Sequence, residues 1–215
     1  MYVSRLHLSN FRNYNTLIFE PQNGLNIIFG RNAQGKSGIL ESIFFLATSK
    51  SHRTSRDQDL IKVESDYLRA EVNVLRINRP DTFVELAMDK TGKKICKVDE
   101  SKQSRLTDIL GQLNVVIFSS SDIDMVRGEP SGRRRFLNLE ISQNSPQYAY
   151  SLGGYKKVLL QRNNLLKEIK LGNSSPSDLH IWNSQLAAFG ASVINRRKSF
   201  LLSLAKYASE IYSLL

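Results

Sequence analysis

A single cysteine, Cys96, is all the thiol chemistry in this sequence. It cannot form an internal disulfide, which suits a reducing compartment, and a cytoplasmic protein is expected. Long apolar runs are missing too. The longest, such as residues 43–47, hold about five residues, where a membrane-spanning helix needs ~20. Residues 1–5 open no signal-peptide core, so no membrane association is expected. The three histidines and one cysteine fall at no metal-ligand spacing. Acidic residues are outnumbered by basic ones, 20 to 30, leaving a net charge of +10. That surplus implies a polyanionic partner, nucleic acid or an anionic surface. The 215 residues are 41% apolar and 23% charged, which excludes disordered and fibrous classes and leaves one large or two small globular domains.

The pattern along the chain is strand-like first and helical later. Leu6 and Leu8 alternate with polar neighbours, and Leu17-Ile18-Phe19 follows a polar turn. The apolar run at residues 25–29 stops at Gly30 and reads as a buried strand. From Ser37 the spacing of Ile39, Leu40, Ile43, Phe44 and Ala47 predicts a helix. Alternation then marks strands near residues 68–74 and 84–88, and turn chemistry at residues 89–93 leads into a third at 95–98, an antiparallel meander expected on the flank of the main sheet. A short helix is expected over residues 104–110, and residues 115–118 read as another buried strand. Beyond Pro130 almost everything reads as helix. Leu152, Tyr155, Leu159, Leu166 and Ile169 form one stripe, with Arg162 in it. Leu179, Trp182, Leu186, Phe189, Val193, Phe200, Leu204, Ile211 and Leu215 form a second. The turn at residues 172–176 makes the two an antiparallel hairpin, and the missing stop signal after Leu214 suggests a truncated chain. The expectation is an α/β fold: a lobe with a mixed sheet over residues 1–128, then a helical lobe over 129–215.

Gly30-Arg31-Asn32-Ala33-Gln34-Gly35-Lys36-Ser37 matches G-x-x-x-x-G-K-[ST], between an apolar run and an amphipathic helix. Glycines at these positions let backbone N–H groups turn inward around phosphate, and the helix N-terminus adds positive partial charge. Lys36 would reach the β- and γ-phosphates of ATP, and the Ser37 hydroxyl would ligate Mg²⁺. A Walker B strand is absent: residues 115–118 lead into Ser119-Ser120-Ser121, with no Asp-Glu. Without that second metal ligand the chain is expected to bind ATP with little hydrolysis. Ser151-Leu152-Gly153-Gly154-Tyr155 reads as a turn and helix cap.

These residues carry a resemblance. Leu8-Ser9-Asn10-Phe11-Arg12-Asn13-Tyr14 resembles the opening strand of SMC-like ATPases, and residues 30–37 their phosphate loop. Residues 47–57, Arg133-Arg134-Arg135-Phe136-Leu137 and residues 155–166 are similar to the RecF family of bacterial recombination mediators. Two positions depart from that pattern. Asn138 stands where Asp is usual, so any role of a carboxylate there is lost, and Gly38 replaces a common Asn. The resemblance implies the N-terminal portion of an ABC/SMC-like ATPase whose two heads sandwich nucleotide in an ATP-dependent homodimer. It also implies action with RecO and RecR at single-strand/double-strand DNA junctions, to help load RecA. The signature loop and Walker B residues would belong to a later part of such a protein. Two rival readings are a P-loop nucleotide kinase and an SMC-type head, the latter disfavoured by the early turn at residues 172–176.

Basic clusters supply the candidate DNA contacts. Residues 131–170 hold eight basic side chains against two acidic ones, so +6 of the +10 lies there. Arg133, Arg134, Arg135, Lys156 and Lys157 are candidates for a phosphate backbone, as are Arg53 and Arg56 after the first helix. Arg12 is a candidate contact to the nucleotide. His7 is expected to be structural and Trp182 to sit in the core. No recognition-helix or zinc-finger pattern appears, so sequence-specific reading is not expected.

Overall fold

Alternating residues in the first hundred positions pair into one six-stranded sheet of order β2-β1-β3-β4-β5-β6. The strands are β1 (Tyr2–Phe11), β2 (Tyr14–Phe19), β3 (Tyr67–Leu75), β4 (Thr82–Asp89), β5 (Lys94–Val98) and β6 (Ser101–Lys102). Every pairing among the described residues is antiparallel. The computed structural model describes residues 1–119 and 122–214, which divide into two compact units, Met1–Ser120 and Ser121–Leu215. A sheet with its covering helix, followed by a helical unit, makes the expected α/β fold.

In the first unit the sheet buries one face. Leu6, Leu8, Leu68, Ala70, Val72, Val74, Val84, Leu86 and Cys96 point inward and are essentially inaccessible. Helix α1 (Lys36–Thr48) covers them with Ile39, Phe45 and Leu46. The other face carries a cross-strand charge ladder. His7, Glu71, Glu85 and Lys97 stand opposite one another on four neighbouring strands. Two like charges face each other at Glu71 and Glu85, and Arg69 bridges both at 2.8 Å. His7 Nδ1 lies 2.6 Å from Glu71, a structural role as expected.

Four expectations for this unit change. The meander does not flank a separate sheet, because β3 pairs directly with β1. Residues 25–29 belong to no named strand, with Leu25, Ile27 and Phe29 88%, 76% and 88% exposed. Only Ile28 packs on the core. Residues 115–118 form no named strand either: Val115 packs inward while Val116 and Phe118 are exposed. An apolar run shows that a strand is suited to burial on both faces, but not that neighbours are present to bury it. The expected helix near 104–110 is a single 3-10 turn, Leu106–Ile109.

The second unit is helical: α2 (Ile123–Arg127), α3 (Pro130–Asn144), α4 (Pro146–Lys170) and α5 (Leu179–Tyr212). Pro at the first helical position starts α3 and α4, where no N–H partner is needed. Helices α4 and α5 form the expected hairpin around a core of Ile141, Tyr148 and Val193, joined by Leu137, Leu152 and Phe200. Arg162 Nε donates to Asn183 Oδ1 across it at 2.7 Å. Trp182 is half-buried and His180 exposed. From Leu201 onward every described side chain of α5 is exposed, and Ser120, Ser121 and Leu215 lie outside the described residues. Asn138 has its own task. Its Oδ1 accepts from Tyr148 Oη (2.7 Å) and Arg197 Nη2 (2.8 Å), tying three helices together.

Residues 151–155 are no turn; they lie inside α4. Of the two glycines there, Gly154 serves close approach. A Cβ on Gly154 would sit 2.6 Å from the Phe189 ring, so any larger side chain requires that ring to move. Gly154→Val should therefore overpack the hairpin and cost ~1–3 kcal/mol, read as a lower thermal unfolding midpoint. An unchanged midpoint would show that Phe189 swings away freely.

Candidate nucleotide-binding site

Residues 30–37 wrap from the exposed run at 25–29 into the N-terminus of α1. Gly30, Ala33 and Gly35 have φ of 146°, 63° and 91°. Alternation of left- and right-handed backbone turns successive N–H groups to one side, the concave form that binds anions. No side chain caps α1 and no acidic residue occupies its first turn, so its free N–H groups and positive end stay available. Lys36 Nζ folds over the loop and donates to the carbonyls of Gly30 (2.7 Å) and Arg31 (2.6 Å). Ser37 is exposed on the same turn. A polyphosphate with its Mg²⁺ fits this donor set: N–H groups, one lysine and one hydroxyl, with no competing carboxylate among the first-turn residues.

Three consecutive residues at the tip of the β1–β2 hairpin hold the loop and its helix. Arg12 takes a left-handed φ of 52°. Its backbone N–H donates to Leu60 O, and its guanidinium to Glu41 through Nε (3.0 Å) and Nη2 (2.7 Å) and to Asp59 O through Nη1 (2.7 Å). Asn13 Nδ2 donates to Ala33 O at 3.0 Å. Tyr14 lies on Gly35, where a Cβ would meet its hydroxyl at 2.6 Å.

Glu41 belongs to no motif, yet it is central to this site. It lies one turn beyond Ser37 and its side chain is fully buried. Arg12 engages it with two hydrogen bonds, Ser51 Oγ donates at 2.6 Å, and Arg53 Nη1 stands 3.6 Å away. Burial works to raise the Glu41 carboxyl. Hydrogen bonds from Arg12 and Ser51, with the charges of Arg12 and Arg53, outweigh that and hold it below the usual carboxylate range. A second buried carboxylate follows the same logic. Burial would raise Asp57, but Lys94 (2.6 Å) and Lys50 (2.9 Å) depress it. The one clue in the sequence is an acid amid the apolar residues of α1, which must be paired if buried; nothing in the spacing names its partners.

The structure brings together only some of the expected residues. Arg12, residues 30–37 and, through Glu41, Arg53 are linked in the first unit. Of the five guanidinium N–H donors of Arg12, three are already directed at protein acceptors. Arg53 is half-exposed, and Arg56 is more exposed with Asp59 4.0 Å away. In the second unit, Arg133 Nη1 donates to the carbonyls of Met125 and Gly128, closing the end of α2. Arg134, Arg135, Lys156 and Lys157 are exposed.

Residues 5–200 match the profile of the AAA domain family. The chain belongs to that family. The curated DNA replication and repair protein RecF of Bacillus cytotoxicus is 39% identical over 212 residues, and that of Clostridium tetani 41% identical over 212. These alignments take in 99% of this chain and 56% and 57% of those proteins, so the chain spans about half the length of the curated relatives it matches. Among solved structures, the recombination mediator protein RecF with ATP, of the RecFOR pathway, superposes with a TM-score of 0.91 at 35% identity, over 94% of this chain and 54% of that one. A structure from work on ATP-driven dimerization of SMC ATPases shares the fold, with a TM-score of 0.50 at 22% identity over 67% of this chain and 100% of that one.

The Glu41 node sets an expected pH dependence. Its carboxyl is depressed on folding, so its stabilisation is fully present above the unfolded value of ~4.3 and is lost as pH falls through the lower folded value. Glu41→Gln should cost ~1.5–3 kcal/mol at neutral pH. Arg12 keeps 25% of its side chain in water, which holds the loss below that of a fully buried pair. Acidification from pH 5 to pH 3 should then destabilise wild type more steeply than Glu41→Gln in chemical denaturation; parallel curves would mean that Glu41 is not ionised in the folded chain.

Proposed function

We propose that this chain is the nucleotide-binding portion of a RecF-like protein of DNA repair, binding ATP on residues 30–37 and DNA through its basic surfaces. The observation that carries the reading is the uncapped N-terminus of α1, preceded by a left-handed-turned loop with Lys36 folded over it. The names of the relatives, RecF from several bacteria and a RecF structure with ATP, point the same way. In this reading the loop N–H groups and Lys36 hold the β- and γ-phosphates, and the Ser37 hydroxyl holds Mg²⁺. Bound metal would supply charge neutralisation for the phosphates. Hydrolysis by this chain alone stays low, because Glu41, the acid one turn from Ser37, is committed to Arg12 and Arg53 and is unsuited to activating water.

We assign DNA backbone contacts to Arg53, Arg56, Arg133, Arg134, Arg135, Lys156 and Lys157, and place the whole protein in the cytoplasm. There it would act as an ATP-dependent homodimer with RecR and RecO, at single-strand/double-strand junctions, in support of RecA loading. The charge arithmetic supports the first part. Near α1 two arginines share Glu41 and two lysines share Asp57, and of these four cations Arg53 and Lys50 face solvent.

Two measurements test this. Lys36→Ala removes a charge-assisted hydrogen bond to phosphate and should weaken binding of a fluorescent ATP analogue by roughly 10–150-fold. Equal affinities would remove residues 30–37 from the reading. Neutralising Arg134, Lys156 and Lys157 should weaken duplex binding across sequences alike. It should also flatten the slope of log K against log[salt] by ~0.9 for each DNA phosphate that the variant no longer neutralises. An unchanged slope would assign these cations to another role.

A further inference from the structure

The hairpin tip next to the phosphate loop has a geometry that packing alone does not require. The loop depends on two left-handed residues, Ala33 (φ 63°) and Gly35 (φ 91°), and each is held from outside by a residue of the tip. Asn13 Nδ2 fixes the Ala33 carbonyl at 3.0 Å. Tyr14 fills the space in which a Cβ on Gly35 would lie, with Cζ and Oη of its ring 2.7 and 2.6 Å from that position and Cε2 3.6 Å from the corresponding position on Gly38. Behind them Arg12 anchors the tip to α1 through Glu41 and to residues 59–60 through its backbone and Nη1. Contacts to the loop thus come from the tip of the β1–β2 hairpin. Burial also raises the Tyr14 phenol above its ordinary value, so the ring is neutral at physiological pH.

We propose that Tyr14 is a positioning residue for nucleotide binding: its ring holds Gly35 in the left-handed conformation and so keeps the phosphate-facing N–H groups aligned. Tyr14 acts through the loop and not on the nucleotide, and the hydroxyl is dispensable while the ring is not. This rests on the reading of residues 30–37 as a phosphate site. A backbone N–H bonded to a charged phosphate is misdirected when the loop relaxes, which corresponds to about tenfold or more in affinity.

The test uses the full chain, well below its unfolding midpoint, with two probes: a fluorescent ATP analogue and inorganic tripolyphosphate. Tyr14→Phe should stay within about twofold of wild type for both probes. Tyr14→Ala should weaken both by a similar factor of about tenfold, because the clamp acts on the phosphate cradle and not on the base. Gly35→Ala should weaken binding as well, and its combination with Tyr14→Ala should be less than additive, since both substitutions disturb one contact. Unchanged affinity in Tyr14→Ala, with Lys36→Ala still impaired, would overturn the positioning role and leave the phosphate site standing. Loss of ATP binding with tripolyphosphate unaffected would also overturn it, by making Tyr14 a contact to the nucleoside. Lys36→Ala binding as well as wild type would sink the phosphate site and this inference with it.

Discussion

One buried carboxylate organises the first unit. Glu41 lies inside α1, where no water can reach it, and only the guanidinium of Arg12, the hydroxyl of Ser51 and the nearby Arg53 make its charge tolerable. Those three partners come from two chain segments with no regular structure in common with α1. The β1–β2 tip, the helix and the loop after it therefore converge on one point. A charge left unpaired at that depth is costly enough that the arrangement is close to all-or-none. Residues 30–37, which end four residues ahead of Glu41, contact this fixed helix and Asn13 and Tyr14 beside Arg12.

Much of this is visible in the order of residues. Alternation locates β1, β3, β4 and β5, three-four spacing locates α1 and the hairpin of α4 and α5, and the glycine-lysine spacing locates residues 30–37. Each is a local property, and local properties survive without knowledge of neighbours. The strands expected at residues 25–29 and 115–118 fail for the opposite reason, since burial of both faces is decided by what packs against them. Gly154 misleads as a turn former because close helix approach and a tight turn call for the same small residue. Glu41, Asp57 and Lys94 cannot be paired from sequence, because no spacing rule connects residues brought together by a fold.

The helical unit solves its own version of the buried-polar problem. Asn138, Tyr148 and Arg197 share hydrogen bonds among α3, α4 and α5, and Ser151 meets Ser192 at 3.0 Å. An aspartate at position 138 would bring a charge to the same place; the amide fills it with a neutral acceptor that still serves both donors. Specific pairing of this kind fixes how three helices align where the apolar core of Ile141, Tyr148 and Val193 is small.

The pairing of β1 with β3 has a consequence in time. Residues 12–66, which include residues 30–37 and all of α1, lie within the stretch of chain closed when these two strands meet. During synthesis from the N-terminus, the β1–β2 tip emerges early with its arginine, asparagine and tyrosine already in place. The central strand pair cannot form until β3 has left the ribosome, and closing so long a loop carries an entropic cost that only the completed sheet offsets. The sheet that supports residues 30–37 is thus completed only after the chain has been made past Leu75.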